Sequence, residues 1–259
     1  MKIPLYQIDA FAEAPFTGNP AAVCPLDTWL DDATMQNIAM ENNLSETAFF
    51  VGGNGKYDLR WFTPSHEVDL CGHATLASSH VIFSHLEPDN GSLTFSTRSG
   101  DLIVNRNGDL IEMDFPSRPP EAMPEQPELL AALGGTPATA MSSRDFFVVY
   151  ETEAEVAALE PDMKALASLD KFATIVTAPG DNTDFVSRFF APAGGIDEDP
   201  VTGSAHCTLI PYWADRLGKT EMTARQISAR GGNLTCRLEG DRISIAGQAR
   251  EVLKGEFML

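Results

Sequence analysis

The sequence predicts an α+β chain built from two copies of one unit, each a strongly curved sheet wrapped around a central helix. Three observations carry this. The chain is written twice: Arg60, Phe62 and Pro64 of RWFTP return as Arg188, Phe190 and Pro192 of RFFAP, an offset of 128 (188 − 60). Met35, Ala39 and Gly52 return at that offset as Met163, Ala167 and Gly180. A later block, from Ser96, Arg98 and Gly100 to Gly108, Asp109 and Ile111, returns as Ser228, Arg230 and Gly232 to Gly240, Asp241 and Ile243, an offset of 132 (228 − 96). Each half also holds one mainly apolar helix among many short strand-like runs, the pattern of a helix buried on all sides. Finally, strands and helices do not alternate regularly, which disfavours a doubly wound parallel sheet. A period of half the chain is too long for a solenoid or propeller.

The elements follow in order. Strand-like runs IPLYQIDAF and AAVCPL open the first half, and DFFVVYE opens the second. A helix comes next: DDATMQNIAMENN, with Met35, Ile38 and Ala39 at helical spacing, then EPDMKALASLD, with Met163, Leu166 and Ala167. A strand follows that ends in the Phe-x-Pro block, where proline is tolerated at a strand end. An acidic loop then leads through a glycine into the central helix, CGHATLASSHVIFSHL in one half and TGSAHCTLIPYWADRLG in the other. Pro211 inside the latter is expected to kink it. Each half closes on a β-hairpin with a Gly-Asp turn, Gly108-Asp109 and Gly240-Asp241. The proline-rich stretch 116–130 reads as a linker, giving halves 1–116 and 117–259, the first completed by the last residues of the chain.

Composition excludes several functions. At 259 residues the chain suits two domains of ordinary size. A formal charge of −19 argues against a nucleic-acid or anionic-membrane partner, which would need clustered Lys and Arg. No apolar run is long enough to span a bilayer, and MKIPLYQIDAF lacks a signal peptide's apolar region. The four cysteines are scattered and read as free thiols in a cytoplasmic protein.

The candidate site lies where the halves meet and differ. Two packed copies leave a cleft on a pseudo-twofold axis, a preferred place for a ligand. Both central helices begin with glycine: Gly72, His73 and Ala74 in one, Gly203, Ser204 and Ala205 in the other. Helix N-termini offer unpaired N–H groups and partial positive charge, suited to a carboxylate or an enolate. His73 corresponds to Ser204, and Glu46 to Thr174 at the offset of 128 (174 − 46). One-sided Glu and His are what directional proton transfer requires: a sheltered carboxylate as base and an imidazole as donor or relay. Each residue alone has an ordinary alternative. Glu46 reads equally as a solvated acid, His73 as a core histidine, Asp199 as a turn or cap residue, and Asn19 of TGNP as a turn residue. A Cys₂His₂ zinc site from Cys71, His73, His206 and Cys207 is disfavoured, because adjacent helical side chains diverge and the usual ligand spacing is absent.

The segments FTGNPAAV (16–23), NLSETAF (43–49), LRWFTP (59–64), DLCGHATLA (69–77) and EDPVTGSAHC (198–207) resemble the signature segments of the PhzF family of isomerases. The resemblance covers essentially the whole chain. It implies the diaminopimelate epimerase fold, two mixed β-barrel halves each around a central helix. It also implies an isomerase working without metal or organic cofactor. The family's best-understood member shifts a proton between ring carbons of trans-2,3-dihydro-3-hydroxyanthranilate. By resemblance, Glu46 is the base, and His73, Asp199 and Ser204 are the surrounding acid and hydrogen-bonding groups. Asn19, Gly72, Ala74, Gly203 and Ala205 would contact a small carboxylated substrate. Some members form homodimers. Related amino-acid epimerases use two opposed cysteines; Cys71 stands in the first place, but the second helix start has none. An epimerase using Cys71 with another base, and a non-catalytic small-molecule binding protein, remain alternatives.

Overall fold

The computed structural model describes residues 1–259, and they divide into two compact units. The first comprises Met1–Phe115 with Ser244–Leu259, and the second Pro116–Ile243. The division thus falls one residue before the expected 116/117 boundary, and the second unit ends at Ile243, well short of residue 259.

In the first unit the elements are β1 (Lys2–Ala10), β2 (Asn19–Leu26), α1 (Asp32–Asn42), β3 (Glu46–Gly53), β4 (Lys56–Phe62), β5 (Glu67–Val68), α2 (Gly72–Val81), β6 (Ser92–Thr97), β7 (Gly100–Asn107) and β8 (Leu110–Pro116). Those of the second are β9 (Glu121–Ala122), α3 (Pro127–Leu133), β10 (Thr139–Ser142), β11 (Phe146–Val149), α4 (Glu153–Ala157), α5 (Met163–Ala167), β12 (Thr174–Pro179), β13 (Phe185–Phe190), α6 (Gly203–Leu217), β14 (Glu221–Gln226) and β15 (Gly232–Glu239). The chain then runs through β16 (Arg242–Gly247) into β17 (Ala249–Met258).

The duplication is visible in the strand pairing. β1–β2 is antiparallel, β2–β3 parallel, β3–β4 antiparallel, β4–β6 parallel and β6–β7 antiparallel. The second unit repeats this: β10–β11 antiparallel, β11–β12 parallel, β12–β13 antiparallel, β13–β14 parallel and β14–β15 antiparallel. The repeated arginines do the same work in both. Arg60 grips Glu67 with two N–H groups, at 2.7 and 2.8 Å, and Arg188 grips Glu198 at 2.7 and 3.0 Å. Such two-point pairs fix geometry as well as charge, and here they tie the acidic loop to the strand before it.

Strand β17 explains the sharing of the C-terminus. It pairs with β1 along its whole length, from Lys2 opposite Met258 to Ala10 opposite Ala249, with one irregularity at Gln7/Ile8. The stretch read as a linker is partly structured, because β9 pairs with β10 and α3 buries Leu129 and Leu133. Leu129 and Leu133 join Phe146, Tyr150, Val176 and Phe190 in the second unit's core. In the first unit Met35, Ile38 and Ala39 of α1 pack against Cys24, Phe49 and Phe62.

Helix α2 is buried at every position except His80. Its hydroxyls survive burial by bonding back to the preceding turn: Thr75 to the Cys71 carbonyl, Ser78 to Ala74 and Ser79 to Thr75, at 2.6–2.8 Å. The helix then relaxes into a π-helical turn, Ile82–Leu86, where one continuous helix was expected. Helix α6 runs unbroken from Gly203 to Leu217 with Pro211 inside it. It buries Trp213, whose indole N–H donates to Thr177 at 2.9 Å.

Candidate active site

In the first unit, register brings the site together. Parallel pairing sets Ala21 of β2 opposite Glu46 of β3, so the starts of both strands share one end. Glu46 is the first residue of β3, Asn19 the first of β2, and His73 the second of α2. Gly18 lets the chain enter β2: its φ is +71°, and a Cβ there would stand 2.3 Å from the Ala10 carbonyl oxygen.

The side chains meet. His73 Nε2 lies 3.1 Å from Glu46 Oε2, both side chains being nearly buried. On the opposite ring nitrogen, Nδ1 has Asn19 Nδ2 at 3.2 Å and Cys71 Sγ at 3.5 Å. Burial works against an imidazolium, but the Cys71 sulfur and the Glu46 carboxylate outweigh it, and the His73 pKa lies well above its ordinary value. Cys71 moves the other way for an attacking group: burial, then Glu46, pushes its pKa up. Burial thus disfavours a Cys71 thiolate.

Donor atoms of Glu46, Cys71 and His73 lie within 4.8 Å of one another, close enough to share a metal ion. The donors already engage one another, His73 through both nitrogens. A metal would have to displace those contacts.

The second unit holds the other expected residues. Asp199 is buried and accepts a hydrogen bond from the Thr202 hydroxyl. Gln226, fully buried on β14, staples this loop: its Nε2 donates to the Asp199 carbonyl at 2.7 Å and to Thr202 Oγ1 at 3.2 Å, and its Oε1 accepts from Thr202 N at 2.8 Å. The hydroxyl of Ser204 accepts from Arg144 at 3.3 Å, and Arg144 also pairs with Asp145 at 3.1 Å. Neither α2 nor α6 receives a side-chain cap at its N-terminus. Gly72, Ala74, Gly203 and Ala205 stand in those first turns. His206, in contrast, is a core residue. Its Nδ1 donates to the Thr202 carbonyl at 2.9 Å, and burial drives its pKa down to about 4.

Sequence reasoning missed Arg144 and Gln226. Arg144 sits in the loop before β11, outside every repeated block. Gln226 reads as an ordinary strand residue until β14 places it beneath the 199–202 loop.

The comparisons with known proteins bear on this geometry. A family model described as phenazine biosynthesis-like protein (PhzC-PhzF) matches residues 8–255. The chain belongs to the PhzF family. This PhzF-family chain is 52% identical to an uncharacterized isomerase of Pseudomonas aeruginosa over 259 residues, covering 100% of both chains. A crystal structure of a PhzF-family phenazine biosynthesis protein from Enterococcus faecalis superposes with a TM-score of 0.98 at 51% identity, covering 100% of each. A hydroxyproline epimerase of Agrobacterium vitis shares the fold alone, with a TM-score of 0.65 at 9% identity over 99% of this chain and 91% of its own. The fold is that of the diaminopimelate epimerase-like proteins.

Proposed function

We propose that this PhzF-family protein is an isomerase that moves a proton between two carbons of a small carboxylated substrate, with Glu46 as the base. The observation that supports it most is the nearly buried contact between Glu46 and His73. Glu46 takes a proton from an acidic C–H, and the electron pair left behind delocalises into the adjoining unsaturated system. His73 stands beside Glu46 as the acid that steadies or re-donates the proton. The uncapped N-terminus of α2 is read as the group that holds the carboxylate and the developing negative charge; in the second unit, the start of α6 with Ser204 and Arg144 offers donors of the same kind. Every atom is conserved in this step: one C–H bond breaks, another forms, and no redox cofactor is needed. The name isomerase carried by the P. aeruginosa relative agrees with this reading.

The test is proton exchange in D₂O. The purified protein is incubated with trans-2,3-dihydro-3-hydroxyanthranilate and with a panel of carboxylated dienes and amino acids, and deuterium is located by NMR. Deuterium at a new carbon supports the proposal. Exchange confined to an amino-acid α-carbon transfers the reading to an epimerase, and exchange in no compound leaves an isomerase of another substrate or a binding protein.

A further inference from the structure

We propose that a cavity at the far end of α2 is a second ligand site, which takes a small anion: a carboxylate or phosphate group carried on an apolar body. The cavity measures about 310 Å³, at the lower end of the range for small-molecule sites. Three segments of the first unit build it. Helix α2 and its π-helical turn give His80 and Phe83, the β7–β8 hairpin gives Arg106 and Ile111, and the β16–β17 junction gives Gln248 and Arg250. His80 stands seven residues (80 − 73) along α2 from His73, about 10 Å at the helical rise. The floor is apolar, since Phe83 and Ile111 are buried, and the Arg106 guanidinium lies over the Phe83 ring at 5.2 Å. The walls carry positive charge that their hydrogen bonds do not neutralise. Arg106 donates to the carbonyls of Phe83 and Pro88, at 3.5 and 2.6 Å. Arg250 donates to the Glu13 carbonyl at 3.2 and 3.0 Å and to Gln248 Oε1 at 3.4 Å. All these acceptors are uncharged. They fix the two guanidinium planes and leave Nε of Arg106 and Nη1 of Arg250 to a ligand, and a guanidinium fork matches a carboxylate or phosphate.

The positive charge is local, because the whole chain carries a formal −19. Asp109, the carboxylate that also lines the cavity, is exposed at the hairpin turn, and neighbouring Glu251 is engaged by His85 at 2.5 Å. His80 reports on the site. Burial holds its pKa below the ordinary value; Glu251 of β17 opposes this, and His85 of the π-helical turn and Arg250 of β17 add to it. Arg106 and Asp109 also line the cavity with it. Tyr6 and Asp9 of β1, Cys24 of β2 and Glu46 of β3, on the other strands packed against α2, do not act on it. An anion held between the arginines favours the charged imidazole, so binding raises the His80 pKa. This site stands apart from the reading of Glu46 as the base and does not depend on it.

The test follows His80 by NMR in the full-length, histidine-labelled protein during titration with inorganic phosphate, acetate and benzoate, with chloride holding the ionic strength constant. The His80 signal is expected to move saturably with an oxyanion, and its pKa to rise by up to about one unit, tenfold in proton affinity. Benzoate should bind more tightly than acetate, because its ring meets the apolar floor. Saturation at lower phosphate than carboxylate names a phosphate as the head group, and the reverse names a carboxylate. Arg250→Gln removes one guanidinium, and Ser84→Asp sets a carboxylate on an exposed position of the cavity wall. Each should weaken binding at least roughly tenfold, and the serine change carries the test should the arginine variant fail to fold. A His80 shift that is linear in concentration, or matched by chloride alone, overturns the proposal, as does saturable binding that both variants leave unchanged. His73 reports the candidate active site in the same spectra, so anions that move His73 and not His80 also overturn it.

Discussion

His73 Nε2 stands 3.1 Å from Glu46 Oε2, although 27 residues (73 − 46) separate them in the chain. A strand start and a helix start supply the pair, and neither has freedom to drift. This contact sets the chemistry and also links stability to pH. A histidine whose folded pKa is raised stabilises the fold fully below its unfolded value and loses that contribution as pH rises through the folded value. We expect the urea midpoint to fall as pH climbs from 6.5 through the folded value. Replacing Glu46 by Gln should flatten that slope, which a urea series across pH reads directly.

His206 carries the opposite sign. Its folded pKa, about 4, lies below the ordinary 6.5. Its contribution is therefore complete above 6.5 and is lost as pH falls toward 4. A shift of about 2.5 units at roughly 1.4 kcal/mol each is on the order of 3–4 kcal/mol. His206→Phe should remove much of the acid-side slope in chemical unfolding.

Gln226 holds the 199–202 loop through the Asp199 carbonyl and the Thr202 N–H. Gln226→Leu strands both groups in a buried place. The expected cost is on the order of 2–6 kcal/mol, at about 1–3 kcal/mol per unsatisfied group. Urea unfolding checks the stability, and a loss of proton exchange larger than the loss of folded protein would place the loop in the chemistry.

Arg144 touches Ser204 at the start of α6. If it receives the substrate carboxylate, Arg144→Ala should raise KM roughly 10- to 100-fold with little change in kcat, since a hydrogen bond to a charged group contributes about 1.5–3 kcal/mol. Steady-state kinetics separates this from a general loss of fold, which would lower kcat alone.

Cys71 tests the epimerase alternative. A neutral thiol raised by burial does not serve as the base. Cys71→Ala is expected to keep proton exchange, and iodoacetamide should modify Cys71 slowly at neutral pH. Abolished exchange in Cys71→Ala would move the base from Glu46 to the thiol.

The sequence disclosed what is written locally. Arg60 and Arg188 announced the duplication because each fills a fixed two-point ion pair, and the pairing pattern of the sheets repeats around them. Glu46 and His73 stood out as one-sided substitutions within that repeat. Long-range pairing was not readable. That the last residues complete the first half was expected, but the alternation of residues 249–258 does not name β1 as their partner. Gln226 and Arg144 were hidden for the same reason, since their partners lie 24 (226 − 202) and 60 (204 − 144) residues away. Asn19 was expected to contact substrate by resemblance, and its amide lies 3.2 Å from His73 Nδ1.

The central claim, that Glu46 is the base, is tested most directly by comparing wild type with Glu46→Gln for deuterium incorporation in D₂O, using whichever carboxylated compound the wild type exchanges. Removing a general base is expected to slow incorporation by about 10²- to 10⁴-fold, while circular dichroism stays unchanged. Incorporation at the wild-type rate in Glu46→Gln would contradict the account and assign the proton to another residue.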